Sequence, residues 1–221
     1  MKKIILIFTV VIYSLNLGLS QKLNIQPGIT LGTSYYLGDV NHVKQFYSPG
    51  FTYGLAFRQS FNEHYALRLN VLKGKLSGSD LDFQSGYQQI RAHSFVNDIY
   101  EIGLQLEFNF FEFNNFKKKS SSPYITAGAA LTISNSFQNY SFAVPMGIGY
   151  KYSVTKRLTL SAEWAFRNTT SDNLDLLYPG DIYTKQITKT KNDDWYSVAG
   201  LTATYNFANE KKWCPAYKKI K

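Results

Sequence analysis

The side chains that could carry chemistry are few and scattered. Three histidines, His42, His64 and His93, stand far apart with no metal-ligand spacing among them. His93 precedes Ser94, but a nucleophile and its base must meet through the fold, with a third group orienting the base, so adjacency is not a catalytic arrangement. Asp80 with Asp82, and Asp193 with Asp194, have the charge for a calcium ion and lack the fixed spacing of a calcium loop. Neither a phosphate loop nor a dinucleotide fingerprint is present. The expectation is a protein that is not an enzyme, with no catalytic residue, no metal and no cofactor. What remains is a set of charges within otherwise apolar stretches: Arg58, Arg68, Glu101, Glu107, Lys151, Glu163 and Arg167. Taking an unpaired charge out of water costs on the order of several kcal/mol. The elements that carry these residues must therefore give them water or opposite charges.

Those elements read with a period of two. From Tyr100 to Phe110, the residues Tyr100, Ile102, Leu104, Leu106, Phe108 and Phe110 fall on one side, and Glu101, Gly103, Gln105, Glu107 and Asn109 on the other. A run of this length is what a tilted strand needs to cross a bilayer, with its apolar side toward lipid. Seven further stretches follow the same rule: Leu23 to Tyr35, Phe51 to Phe61, Tyr65 to Val71, Ile125 to Ile133, Phe142 to Tyr152, Leu158 to Arg167 and Trp195 to Phe207. The expected fold is an all-β, eight-stranded antiparallel transmembrane barrel of the outer-membrane type over residues 21–207, with the seven charges as a paired network in its lumen. An eight-stranded barrel is filled by side chains, so an aqueous pore is not expected.

The connections support that topology. Long segments at 37–50, 77–95 and 168–194 alternate with short returns at 62–64 and 153–157, the connector at 111–122 is intermediate, and the loop at 135–141 is the one short member on the long side. Short turns and both chain ends belong in the periplasm, long loops outside. Tyr35, Phe61, Tyr65, Phe110, Tyr152, Trp195 and Phe207 fall near strand ends, as interfacial girdles require. The first twenty residues read as a signal peptide: Lys2 and Lys3, an apolar run from Ile4 to Tyr13, then Gly18-Leu19-Ser20. An uncleaved membrane helix is the alternative, disfavoured by the shortness of the run.

The formal net charge of +9 is unevenly placed on this topology. The periplasmic side collects Lys22, Lys117, Lys118, Lys119, Lys156, Arg157, Lys211, Lys212, Lys218, Lys219 and Lys221 against Glu63, Glu112 and Glu210. Contact with anionic headgroups and docking of a periplasmic partner both account for it. Nucleic acid is excluded, because an exported barrel does not meet it. The single cysteine, Cys214, lies in the basic tail 208–221 and has no internal partner; it is either a free thiol or pairs with another chain.

Several segments together resemble the PorG family. They are Tyr35-Tyr36-Leu37-Gly38-Asp39-Val40-Asn41, Tyr65-Ala66-Leu67-Arg68, the run from Ile99 to Phe111, Pro123-Tyr124-Ile125-Thr126-Ala127-Gly128, Gly147-Ile148-Gly149-Tyr150-Lys151-Tyr152, Asn192-Asp193-Asp194-Trp195-Tyr196 and the closing Cys214-Pro215. PorG proteins are small outer-membrane barrels of the Bacteroidota associated with type IX secretion and gliding motility. The loops at 135–141 and 168–194 are shorter here than that family leads one to expect. The resemblance implies a non-enzymatic barrel that anchors or stabilises a periplasmic ring, built from a lipoprotein and its soluble partner, at the outer membrane. The contact residues it suggests are Lys117, Lys118, Lys119, Lys156, Arg157, Trp213 and Cys214. Other readings stay open from the residues alone: a surface barrel acting through its outside loops, a secreted soluble barrel with its apolar residues inside and, behind these, a narrow pore or a lipid-modifying enzyme with a serine and a histidine brought together at a rim.

Overall fold

The computed structural model describes residues 25–38, 40–41, 44–83, 86–134, 139–170, 174 and 194–207. The signal segment, the tail with Trp213 and Cys214, His42, Asp193 and nearly all of the loop before Trp195 lie outside them. Eight strands form: β1 (Ile25–Leu37), β2 (Gly50–Ser60), β3 (Tyr65–Ser79), β4 (Ser94–Asn109), β5 (Ser121–Ser134), β6 (Asn139–Ser153), β7 (Leu158–Thr169) and β8 (Trp195–Tyr205). Each pairs antiparallel with the next, and β8 returns to β1 with Leu201 opposite Leu31, so the sheet closes and has no free edge.

Closure decides which side of each strand is which. Along β4, Ile102, Leu104 and Leu106 are about half exposed, at 51%, 49% and 49%, while Glu101 and Glu107 are buried at 2% and 1%. The same inversion runs round the wall, with Ile29, Phe51, Leu55, Met146, Ile148 and Leu201 outward. Apolar outside and polar inside is the pattern of a barrel in hydrocarbon. It overturns the soluble-barrel reading, whose apolar residues would have to face inward. Strands of 11 to 16 residues are long enough to span.

Two sequence expectations need correction. The polar segment 77–95 is not all loop: β3 continues to Ser79 and β4 starts at Ser94, with Ser77 opposite Val96. Its serines and glycine are satisfied by the ladder, and the alternation persists, with Leu76 and Phe95 turned inward and buried. Only 80–93 connects the two strands, through a 3-10 turn at Asp80–Asp82 and a short helix α1 (Gly86–Arg91). Tyr35 is not a girdle residue either. It points outward but is fully buried beneath Phe46, with ring centroids 4.9 Å apart, and its hydroxyl accepts from Trp164 Nε1 at 2.8 Å.

The strand directions place the start of β1, the end of β8, the turns at 61–64 and 154–157 and the connector 110–120 on one rim. The connections after β1, β3, β5 and β7 lie on the other.

Candidate functional site

The inward charges lie on different strands, and the barrel's radius brings them together. Glu107, on β4, pairs with three cations: it accepts from Arg58 Nε of β2 at 2.9 Å and Lys151 Nζ of β6 at 2.6 Å, and forms an ion pair with Arg68 Nη1 of β3 at 3.2 Å. Arg68 also reaches across to Glu163 of β7, with Nη2 2.6 Å from Oε2, and donates to Gln105 Oε1 at 2.5 Å. The Tyr124 hydroxyl donates to Glu163 at 2.7 Å, and its ring lies 4.1 Å from the Lys151 ammonium. Nearer the opposite rim, Arg167 Nε donates to Glu101 at 3.0 Å and the Tyr196 hydroxyl to the same carboxylate oxygen at 2.5 Å. The seven charged residues therefore form two groups, one on Glu107 and one on Glu101. The void among Arg58, Arg68, Glu107 and Lys151 has a volume of about 10 Å³, too small for a channel.

Two residues that the pattern did not flag close the lumen at the termini-bearing rim. The connector between β4 and β5 folds back so that Phe113 and Asn115 are buried in the barrel mouth. Asn115 Oδ1 accepts from Arg58 at 3.2 Å and its Nδ2 donates to Ser60 Oγ at 2.9 Å. The Phe113 ring faces the Arg58 guanidinium at 5.4 Å and the Lys151 ammonium at 5.6 Å, a cation–π arrangement with both. The only local signal was the aromatic at Phe113, two residues past Phe111, inside a stretch read as a connector of intermediate length.

At the other rim, Tyr36, Val40, Leu76, Phe95, Ile99, Leu174, Tyr196 and Val198 form an apolar cluster that fills the lumen above Glu101. Val40 and Leu174 come from the loops, and each is tied down. Gln88 donates to the Val40 carbonyl at 3.0 Å and Asn97 to the Leu174 carbonyl at 2.8 Å. Asp80, Asp82 and Asp194 are used here as loop staples. Asp80 takes Arg91 at 2.5 and 2.7 Å, Asp194 accepts from Tyr36, and Asp82 accepts from the Tyr47 hydroxyl at 2.5 Å. Burial, reinforced by that bond to Asp82, pushes Tyr47 up to about 12. Among the described residues no three His, Cys, Asp or Glu side chains converge to hold a metal. His64 instead lies against Phe108, and His93 against Phe95.

A family profile described as a domain of unknown function (DUF6089) matches residues 2–216. The chain belongs to the DUF6089 family. No curated protein sequence matches it. Among solved structures it is similar to Neisserial surface protein A, with 14% identity, 84% of this chain and 97% of that one covered and a TM-score of 0.49. It is also similar to the attachment invasion locus protein Ail of Yersinia pestis, with 12% identity, 85% and 100% coverage and a TM-score of 0.44. The outer membrane protein OprG of Pseudomonas aeruginosa gives 12% identity, 83% and 95% coverage and a TM-score of 0.40.

In this DUF6089 barrel five cations of the termini-bearing rim are carried by two adjoining segments. Lys117, Lys118 and Lys119 are exposed at the end of the connector, and Lys156 and Arg157 are exposed on the turn between β6 and β7. The two groups are neighbours, because Lys119 N donates to the Ser153 carbonyl at 2.9 Å and Ser153 N to the Ser120 carbonyl at 2.8 Å.

Proposed function

We propose that the chain is a non-enzymatic outer-membrane barrel of a type IX secretion apparatus, holding the periplasmic ring of a lipoprotein and its soluble partner at the membrane. The observation that carries this reading is the filled lumen: apolar cluster, Glu101 pair, Glu107 group and Phe113 plug follow one another from rim to rim. A barrel with nothing to pass works through its rims. The resemblance of its motifs to the PorG family supports the secretion assignment, and the apolar wall supports the outer membrane as its place, surrounded by lipid with both termini in the periplasm. The contacts proposed for the ring are Lys117, Lys118, Lys119, Lys156 and Arg157 on the rim, with Trp213 and Cys214 in the tail. Affinity capture of the tagged protein from gently solubilised outer membranes, with and without residues 208–221, tests it. Ring proteins that are recovered, and recovered less without the tail, are the expected result; their absence from both captures contradicts the anchor role.

A second reading, action through the outward loops, is favoured by one observation. The connection between β3 and β4 exposes Leu81 at 63% and Ile90 at 88%, more apolar surface than a solvated loop needs. Binding to host or neighbouring surfaces that is lost when 80–93 is trimmed would favour it over the anchor.

A further inference from the structure

The outer wall of the barrel is free of ionised side chains except at one place. Of the outward-facing positions on the eight described strands, three are charged, Lys73 and Lys75 of β3 and Asp98 of β4, and the ladder sets them side by side, with Lys73 opposite Tyr100 and Lys75 opposite Asp98. Their chain neighbours Leu72, Leu76, Asn97 and Ile99 are buried inward, so the three charges point away from the lumen. One step toward the middle of the wall, the same faces carry Val71 opposite Ile102, at 40% and 51% exposure. One step toward the loops stands Ser77, whose hydroxyl meets that of Ser48 at 2.8 Å. Lys73 Nζ lies 3.7 Å from Asp98 Oδ2, long for an ion pair, and 5.1 Å from the centre of the Tyr100 ring. Lys75 is exposed, and its ammonium has no partner among the described residues. Asp82 lies farther along this edge, beyond Ser79, where the Tyr47 hydroxyl holds it.

We infer that Lys73 and Lys75 form a site on the outer wall for the phosphate of a membrane lipid, on the side of the loop-bearing rim. Position names the occupant. The lysines stand where the apolar band of β3 and β4 ends, so a molecule held by them has Val71 and Ile102 beside it, and only an amphiphile matches charge above and hydrocarbon below. Charge names its headgroup. Two ammoniums against one carboxylate leave an excess of one cation, and Lys75 is the group that carries it. A phosphate takes Lys75 outright and competes with Asp98 for Lys73, whose present pair is loose, while the Ser77 and Ser48 hydroxyls stand ready to donate from above. A phosphorylated glycolipid and a glycerophospholipid offer the same chemistry to this site. The inference goes beyond the anchor reading and does not depend on it, since it concerns the wall and not what the rims hold.

The test uses the full mature chain folded in a neutral detergent, its compact gel band confirming the fold of each variant. It is titrated with bis-phosphorylated lipid A, with dephosphorylated lipid A and with phosphatidylglycerol, and bound copies are counted by native mass spectrometry. Lys73→Gln with Lys75→Gln should weaken binding of the phosphorylated lipid A about tenfold, whereas Lys218→Gln with Lys219→Gln, the same charge removed from the tail, should change it by less than about twofold. Asp98→Asn keeps both lysines and removes their competitor, so it should tighten binding about threefold, a gain that damage to the wall does not give. Dephosphorylated lipid A that binds as tightly as the phosphorylated form overturns the phosphate site. Equal losses from the two lysine pairs overturn it too, as does unchanged or weaker binding in Asp98→Asn. The two phosphate sources separate by preference: tighter binding of lipid A, lost with Lys73 and Lys75, assigns a glycolipid, and tighter binding of phosphatidylglycerol, lost in the same way, assigns a phospholipid, either result upholding the site. A dimer in the spectra that Lys75→Gln dissolves means that Lys75 pairs with Asp98 of a second copy, and overturns the lipid.

Discussion

At the scale of single residues, Glu107 is the acceptor on which the lumen depends. Three cations converge on its two oxygens in a site closed to water. Removing one member of a buried charge group leaves the others unpaired, at a cost of about 3–5 kcal/mol. Glu107→Gln should accordingly lower the temperature at which the compact, faster-migrating gel band is lost, and Lys151→Met in the same chain should recover part of that loss. A Glu107→Gln barrel as heat-resistant as the wild type would contradict the pairing. The seven charges were legible in the sequence because a period of two put them on the face opposite the leucines and phenylalanines. Their partners were not. Which carboxylate meets which cation depends on strand stagger and barrel radius, and Gln105, Tyr124 and Tyr196 are residue types that strands carry for many reasons.

At the scale of elements, the wall is a set of strands packed so closely that some inward positions tolerate no side chain. A Cβ on Gly128 would lie 2.0 Å from the Leu104 carbonyl oxygen and 2.7 Å from Gln105 Cα, both backbone atoms of the neighbouring strand. Gly128→Val should therefore fail to give the heat-modifiable folded form, while Ala129→Val, which points outward, should fold as the wild type does; equal folding of the two would contradict the register of β4 and β5. The strand cores were readable because alternation survives wherever one face meets hydrocarbon. Strand ends were less so. Beyond the membrane, Ser77 to Ser79 pair as well as valines would, and composition there says loop. The connector hid its role for a different reason: Phe113 enters the lumen because the mouth has room between Arg58 and Lys151, a property of the closed barrel that no local pattern records.

At the scale of the whole molecule, the barrel is two rims held a membrane apart by a solid interior. The loop-bearing rim is stapled by Asp80 with Arg91 and by Tyr47 with Asp82, and closed by Val40 and Leu174. The termini-bearing rim is closed by its own connector, through Phe113 and Asn115. Function on this account lies in what the rims hold, and the wall's work is to keep them in place. The claim common to all of it is that the barrel in its membrane passes nothing. The most direct measurement is single-channel recording of the purified, folded protein in planar bilayers. The account predicts no discrete current steps from the wild type at any moderate voltage. Stable steps that scale with electrolyte concentration would contradict it, because they require a continuous water path through the Glu107 group and past Phe113.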